Sequence, residues 1–242
     1  MRRRADQVLV ERGFFESRAR AQAAIAAGLV TADGVTVRKA SEALAEGAVI
    51  EASAPHPYVS RGGVKLAHAL DHFSVEVTGC TALDIGASTG GFCDVLLRRG
   101  VAKVYAVDVG RGQLHASLTG EPRLVNLEAT DARSLTRENV PDAVDLVVSD
   151  VSFISLTLVL GPVLRLAAPG ARLIALIKPQ FEAGRDHIGK GGVVRDEAVH
   201  AEVCARIASH VTSLNWRPRA IVASPIEGGD GNREFLLMAE RQ

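Results

Sequence analysis

Several things are scarce in this 242-residue chain. Cysteine occurs three times (Cys80, Cys93, Cys204), widely spaced and never as Cys-x-x-Cys. An odd, scattered set supplies neither a disulfide framework nor a zinc site, and a reducing compartment is the simplest reading. Neither sign of charge is in excess: Lys+Arg 28 balances Asp+Glu 28, so net charge does not point to a polyanionic partner. Aromatics make up only 4%. No long apolar run is present. The most apolar region, 156–177, is broken by Gly161, Pro162, Arg165, Pro169, Gly170 and Arg172, whereas a spanning helix needs about 20 mostly apolar residues. The opening Met-Arg-Arg-Arg has no apolar segment behind it, so no signal peptide is expected. These absences predict a soluble, cytoplasmic chain with no membrane partner. Its 47% hydrophobic content and length suit one large domain plus a small one.

What is present centres on residues 81–92. A short apolar run, 81–85, contains Asp84 and leads into Gly86, Ala87, Ser88, Thr89, Gly90, Gly91 and Phe92. A helical pattern then begins, carrying Val95, Leu96 and Leu97. Strand, tight loop and helix start bring free N–H groups close to a ligand. A dinucleotide fingerprint needs Gly-x-Gly, but Ser88 stands two after Gly86. A phosphate loop needs Lys and Ser/Thr after its last glycine, but Phe92 and Cys93 stand there. The stretch from Asp84 to Phe92 resembles the D-x-G-x-x-x-G-G-F loop that holds S-adenosylmethionine, a cofactor with no phosphate and no call for that lysine. A purely structural turn would not need three glycines in six positions.

Residues 1–52 read as a separate α+β module. Two short helices, 6–12 and 18–27, are closed by Gly13 and Gly28, with Ser17 as a cap. Short strands at 29–31 and 35–37 flank the Asp33-Gly34 hairpin signal, and another is expected at 48–50. Arg4, Asp6, Leu9, Gly13, Ser17, Arg18, Ala21, Ile25, Gly28, Val30, Gly34, Lys39 and Gly47 give the segment a resemblance to the S4 RNA-binding module. Residues 1–50 hold 8 Lys/Arg against 6 Asp/Glu, an excess of only 8 − 6 = +2. Clustering matters more: Arg3, Arg4, Arg18, Arg20 and Lys39, with Arg61 beyond the module, are the RNA-binding candidates. Pro55 and Pro57 mark 53–58 as a short linker.

Residues 59–242 alternate apolar strands with helices. A helix over 60–73 precedes strands at 81–85, 103–107, 124–127, 145–149, 172–177, 219–223 and 234–238. Further helices are expected at 92–99, 156–166 and 196–214. Such a pattern predicts an α/β domain around a mostly parallel seven-stranded sheet, Rossmann-like and doubly wound. Ligands in such sheets bind beyond the carboxyl ends of the strands. Asp108 with Val109 ends the second strand, placed to accept both hydroxyls of a ribose. Asp131 with Ala132 follows the third, near an adenine amino group, with Glu128 as a competitor for that place. Asp150 and Lys178 end the fourth and fifth strands over one cleft. Glu234 opens the last strand and shares that edge if the strand is antiparallel. Lys65, in the first turn of the 60–73 helix, could reach in. The glycine-rich 184–192 segment is expected to be a mobile loop touching RNA, and Phe181 could stack on a base.

The set Lys65, Asp150, Lys178 and Glu234 resembles the Lys-Asp-Lys-Glu tetrad of FtsJ-like ribose 2′-O-methyltransferases. With the N-terminal module and the segments 60–63, 84–92, 150–153 and 178–182, the whole chain is similar to the TlyA family. That resemblance implies a class I methyltransferase fold behind an S4 domain and S-adenosylmethionine as methyl donor. It further implies a cytidine ribose of ribosomal RNA, in a ribosomal subunit, as acceptor. No metal and no DNA are expected. The short ending after the last strand is associated with large-subunit (23S) RNA, with 16S RNA the lesser expectation. A neutral Lys178 would take the 2′-hydroxyl proton, or would only orient the hydroxyl; Lys65 would orient Lys178 or lower its pKa, and the two carboxylates would hold the lysines. Rival readings are a non-catalytic RNA-binding assembly factor, a membrane-active haemolysin suggested by a family name, and a base methyltransferase. An oxidoreductase fails at the glycine loop. The sequence leaves oligomeric state open.

Overall fold

The structure is a computed structural model that describes residues 2–242; Met1, where the sequence-based first boundary begins, lies outside them. The chain divides into two compact units, one ending at Pro57 and one spanning Tyr58–Gln242.

The first unit carries β1 (Arg2–Arg4), α1 (Ala5–Glu11), α2 (Arg18–Ala26), β2 (Val30–Ala32), β3 (Val35–Thr36), β4 (Ala43–Ala45) and β5 (Ile50–Ala52). Ser17 caps α2 by accepting the Arg20 N–H. Asp33 and Gly34 take φ of 51° and 76°, the left-handed pair that lets a two-residue turn match the strand twist. The hairpin pairs β2 with β3, and β5 adds to the other edge of β2. The last strand falls at 50–52 rather than 48–50, because Gly47 and Val49 stay in the turn that bonds to Asp33. Ladder β1–β4 is an addition that the sequence did not signal: three arginines facing a polar-poor stretch carry no strand alternation. Ala5, Leu9, Ala21, Ala24, Ile25, Val30 and Val37 form its small core.

The second unit begins with α3 (Gly62–His72), β6 (Thr81–Ile85), α4 (Gly91–Arg98), β7 (Lys103–Val107), β8 (Leu124–Leu127) and β9 (Val144–Ser149). It continues with α5 (Leu156–Leu164), β10 (Ala167–Ile177), α6 (Pro179–Glu182), α7 (Glu197–Ser213), β11 (Trp216–Ala223) and β12 (Phe235–Arg241). Seven strands lie in the order β11-β12-β10-β9-β6-β7-β8. Strands β10, β9, β6, β7 and β8 are mutually parallel, while β12 runs antiparallel to β10 and to β11. Leu83, Val104, Leu146, Val147, Leu173 and Ile174 are fully buried, as expected where helices cover both faces of a sheet. Pro169 and Gly170, which break the apolar 156–177 region, lie in a bulge inside β10, where its pairing with β9 jumps from Ala167 to Arg172. Pro218 is tolerated in β11 because that strand is the sheet edge. The six-rung ladder between β10 and β12 ends on Ile177↔Phe235.

Candidate active site

Chain order reverses between β6 and β9, with β7 and β8 on one side and β10 on the other. A crevice opens at the carboxyl ends of strands at such a switch point. The Asp150 N–H bonds to the Ile85 carbonyl at 2.9 Å, bringing the two strand ends together. Gly86 has φ +83°, and a Cβ there would sit 2.8 Å from the Asp150 carbonyl oxygen. Only glycine meets both conditions.

The larger of two cavities beside this loop measures 440 Å³. Gly86, Ser88, Asp108, Val109, Asp131, Ala132 and Asp150 line it, together with Gln113, Val151 and Phe153. Three of its wall residues are aspartates and none is Lys or Arg. That donor set suits a ligand with hydroxyls and positive charge, and disfavours phosphate. S-adenosylmethionine, with its ribose, amino groups and sulfonium, fits it. Asp108 accepts the Gly110 N–H at 2.7 Å and the Ser88 N–H at 2.8 Å, which fixes its carboxylate at the β7 end. Asp131 is bound by Arg133, which with the Arg133 N–H holds its carboxyl down at about 2. Its rival Glu128 accepts the N–H groups of Gly112, Gln113 and Leu114, and does not line the cavity.

Two expected cofactor residues are placed differently. Asp84 is fully buried and lines neither cavity. Its Oδ2 accepts the Cys93 thiol at 3.0 Å, while Oδ1 has no hydrogen-bond partner among the described residues. Burial pushes the Asp84 carboxyl up to about 7, with Asp150 and Asp108 adding and the thiol opposing. Gly90 also lines neither cavity; a Cβ there would strike the Leu118 and Leu114 side chains. Its role is to let a hydrophobic neighbour close over the loop.

The smaller cavity, 180 Å³, is walled by Gly86, Ser88, Thr89, Gly91 and Phe92 on one side. Ser60, Gly62, Lys65, Asp150, Ser152 and Lys178 form the other. Both lysines are buried, at 8% and 9% exposure. Lys65 Nζ meets Glu234 Oε2 at 2.5 Å. Glu234 is itself buried and stands behind Lys65 rather than on the wall. Lys178 Nζ lies 2.7 Å from Asp150 Oδ1, but that oxygen lacks hydrogen-bond geometry to any partner among the described residues. The contact is therefore coulombic, and the directed bond of Lys178 goes to Ser152 Oγ at 2.8 Å. Each buried cation thus has its own carboxylate, which offsets a desolvation cost of several kcal/mol per ion.

Lys178 precedes the single turn α6, and Glu182 closes that turn. Buried Glu182 accepts the Leu156 N–H and the Ser155 hydroxyl, both at 2.7 Å, so it anchors the lysine-bearing segment to the start of α5. Burial raises its carboxyl above the ordinary range. Lys178 Nζ is 6.0 Å from the centre of the Phe181 ring, and Phe153 lies 5.0 Å beyond, ring centre to ring centre. Phe153 is 90% exposed at φ +64°, an unfavourable conformation for a bulky residue. Gln113 carried no signal in the sequence, and Ser60 and Ser152 entered only as members of the 60–63 and 150–153 segments. Ser152 could have been found from its place two residues after Asp150, on the same side of an extended segment.

In the first unit, Arg4 and Arg18 both clamp the buried Asp6, at 3.0 and 2.8 Å, and Gln22 adds a third bond at 2.8 Å. These partners hold its carboxyl well below the usual range. Arg3 pairs with Glu11. Arg3, Arg4 and Arg18, all expected RNA contacts, therefore carry intramolecular partners, and Arg4 and Arg18 form a structural clamp. Arg20 is half-buried and Lys39 exposed. In the second unit the Arg61 guanidinium donates to the Glu227 carbonyl at 2.7 Å.

The FtsJ-like methyltransferase family matches residues 58–241, and the S4 domain family matches residues 3–50. The 16S/23S rRNA (cytidine-2′-O)-methyltransferase TlyA of Mycobacterium tuberculosis is 44% identical, over 100% of this chain and 91% of that protein. The 23S rRNA (cytidine-2′-O)-methyltransferase TlyA of Campylobacter jejuni is 36% identical over 74% of this chain and 69% of its own length. A solved structure described as a hemolysin, from Streptococcus thermophilus, superposes with a TM-score of 0.79 at 37% identity, covering 100% of this chain and 89% of that one.

Proposed function

This chain belongs to the TlyA family of FtsJ-like methyltransferases, and from that premise we propose that it methylates the 2′-hydroxyl of a cytidine in ribosomal RNA. The observation that carries the reading is the smaller cavity, where Lys65 and Lys178, each with its own carboxylate, face the glycine loop. S-adenosylmethionine, held by the residues of the larger cavity, supplies an electrophilic methyl group. Asp108 would take the ribose of that cofactor, Asp131 and Ala132 would border its base, and Gly86, Ser88, Thr89, Gly91 and Phe92 would approach its amino-acid end.

A ribose hydroxyl is a weak nucleophile at neutral pH, so it must be aligned and its proton accepted. Lys178 accepts that proton in its neutral form, with Asp150 beside it and Ser152 fixing its direction. Lys65, held from behind by Glu234, orients the incoming hydroxyl. Alignment alone is worth about 7–11 kcal/mol in well-oriented reactions. Phe153, on the wall of the larger cavity, and Phe181, beside Lys178, offer an aromatic surface on which the base of the target nucleotide stacks. The S4 unit delivers the RNA through Lys39, Arg20 and neighbouring arginines.

Large-subunit RNA is the preferred substrate, with small-subunit RNA second, because relatives are named for 23S or for both. Among the described residues no helix is long and apolar enough to cross a membrane. The deciding test incubates purified 50S and 30S subunits, separately, with methyl-labelled cofactor and maps the modified ribose. Label in a cytidine 2′-O-methyl of 23S RNA, absent with Lys178→Ala, is the expected result. Label on a base, or full turnover by Lys178→Ala, overturns the proposal.

A further inference from the structure

Asn232 is polar and completely buried, two residues before Glu234. Its amide is spent on one loop: Nδ2 donates to the Gly192 carbonyl at 3.0 Å, and Oδ1 accepts the Val194 N–H at 2.9 Å. Its main chain is held as well, with its carbonyl accepting the Gly228 N–H at 2.9 Å and its N–H donating to Asp230 Oδ1 at 3.2 Å. The resulting turn wraps the Glu234 carboxylate so closely that a Cβ on Gly228 would lie 2.7 Å from Oε1. On the far side, the Val194 carbonyl meets His200 Nε2 at 3.0 Å, and the His200 ring packs edge-on against Phe235 at 5.5 Å. The start of β12 is thus fastened to the 189–194 segment on both flanks of Glu234.

We propose that Asn232 is a positioning residue that sets Glu234, and through it Lys65, by latching the glycine-rich 189–194 segment to the start of β12. The proposal rests on the reading of Lys65 and Glu234 as the acceptor half of the methyl-transfer site. The chemistry of the amide makes the latch specific. Only Asn offers a donor and an acceptor at the same reach; Asp keeps the acceptor but cannot donate, and Leu does neither. A buried amide with both atoms bonded is costly to disturb, because each partner left behind is a buried, unpaired backbone group. Lys190 and the neighbouring Arg185 and Arg195 are exposed on the latched segment. A polyanion gripping it would pull on the same amide that holds Glu234. Asn232 lines neither cavity, so its effect on the cofactor should be small.

The test compares wild type, Asn232→Ala, Asn232→Asp, Glu234→Gln and the Asn232→Ala/Glu234→Gln double variant, with ribosomal subunits as substrate. For Asn232→Ala we expect turnover reduced at least ~10-fold, cofactor affinity within about twofold of wild type, and faster amide exchange at Val194. On the Glu234→Gln background the same change should cost less than about twofold, because residues acting in series are not additive. Asn232→Asp, close in shape, carries the test if the alanine variant does not fold. Full multiplication of the two losses, or cofactor affinity falling in step with turnover, overturns the latch. Wild-type turnover in Asn232→Ala beside an inactive Glu234→Gln overturns the latch alone. Wild-type turnover in Glu234→Gln instead overturns the reading of the site beneath it.

Discussion

Lys178 aims its hydrogen bond at Ser152, at 2.8 Å, although Asp150 is as near at 2.7 Å. The carboxylate supplies charge and the hydroxyl supplies direction. An amine that must face a substrate oxygen needs both, because a coulombic contact alone leaves its torsions free. Ser152→Ala should therefore keep the ion pair and lose the aim. We expect turnover to fall on the order of 10-fold, the kinetic equivalent of about 1.4 kcal/mol for one hydrogen bond to a charged group. Single-turnover methyl transfer at saturating cofactor measures this, and Ser152→Thr should recover part of the loss. An unchanged rate in the alanine variant would remove Ser152 from the site.

Gly86→Ala confronts two obstacles, a φ of +83° and a carbonyl oxygen 2.8 Å from the new methyl. The strand ends must part or the loop must shift. We expect a loss of about 1–3 kcal/mol in stability and a larger loss in cofactor affinity. Urea unfolding with calorimetric cofactor titration separates the two. A variant that binds cofactor as wild type does would show that the β6–β9 contact is dispensable.

Asp84 makes a pH prediction whose sign can be worked out. Its native carboxyl titrates near 7 because of burial, against 3.8 ordinarily. Between those values the native state holds a proton that the unfolded chain has released. The stabilisation is therefore complete below about pH 4 and is lost as pH rises through 7. The loss is on the order of 4 kcal/mol in the cofactor-free protein. Urea midpoints of wild type and Asp84→Asn, compared from pH 4 to 8, should diverge with this slope. Parallel curves would contradict it.

Asp6 has the opposite sign. Arg4 foremost, with Arg18 and Gln22, holds its native pKa well below the unfolded value. Its contribution is present above about pH 4 and fades as pH falls further. Asp6→Ala should destabilise the first unit by about 1–3 kcal/mol, discounted because both arginines are about half exposed. Amide exchange in α1 and α2 reports it, and unchanged protection would show that the clamp holds nothing.

The sequence was most legible where one physical demand controlled a whole segment. Buried strands must be apolar, so all seven strands of the sheet were expected. Ligands gather at strand ends, so Asp108, Asp131, Asp150 and Lys178 were named by position, and the structure brings all four to the cavity walls. The sequence was silent where the deciding term was a distant contact. Asp84 looks like a ligand residue beside the glycine loop, but Cys93 and surrounding burial claim it. Gly90 looks like backbone for a ligand, but Leu118 occupies its missing Cβ. Arg4 and Arg18 look like a phosphate track, and nothing nearby in sequence says that Asp6 is sealed beneath them. Asn232 is invisible without its partners 38 and 40 residues away.

Lys178 and Glu234 are the residues immediately beyond Ile177↔Phe235, the final rung of the β10–β12 ladder. Side chains alternate faces along a strand, so a slip of one position turns every one of them to the opposite face. This gives the reaction centre an unusual sensitivity to spacing. Point changes on the outer face of β12 should be absorbed, whereas inserting or deleting one residue within 235–240 should disable catalysis while leaving the core composition almost untouched. The ladder acts as a ruler, and tolerance to length, more than tolerance to residue type, marks where it begins and ends.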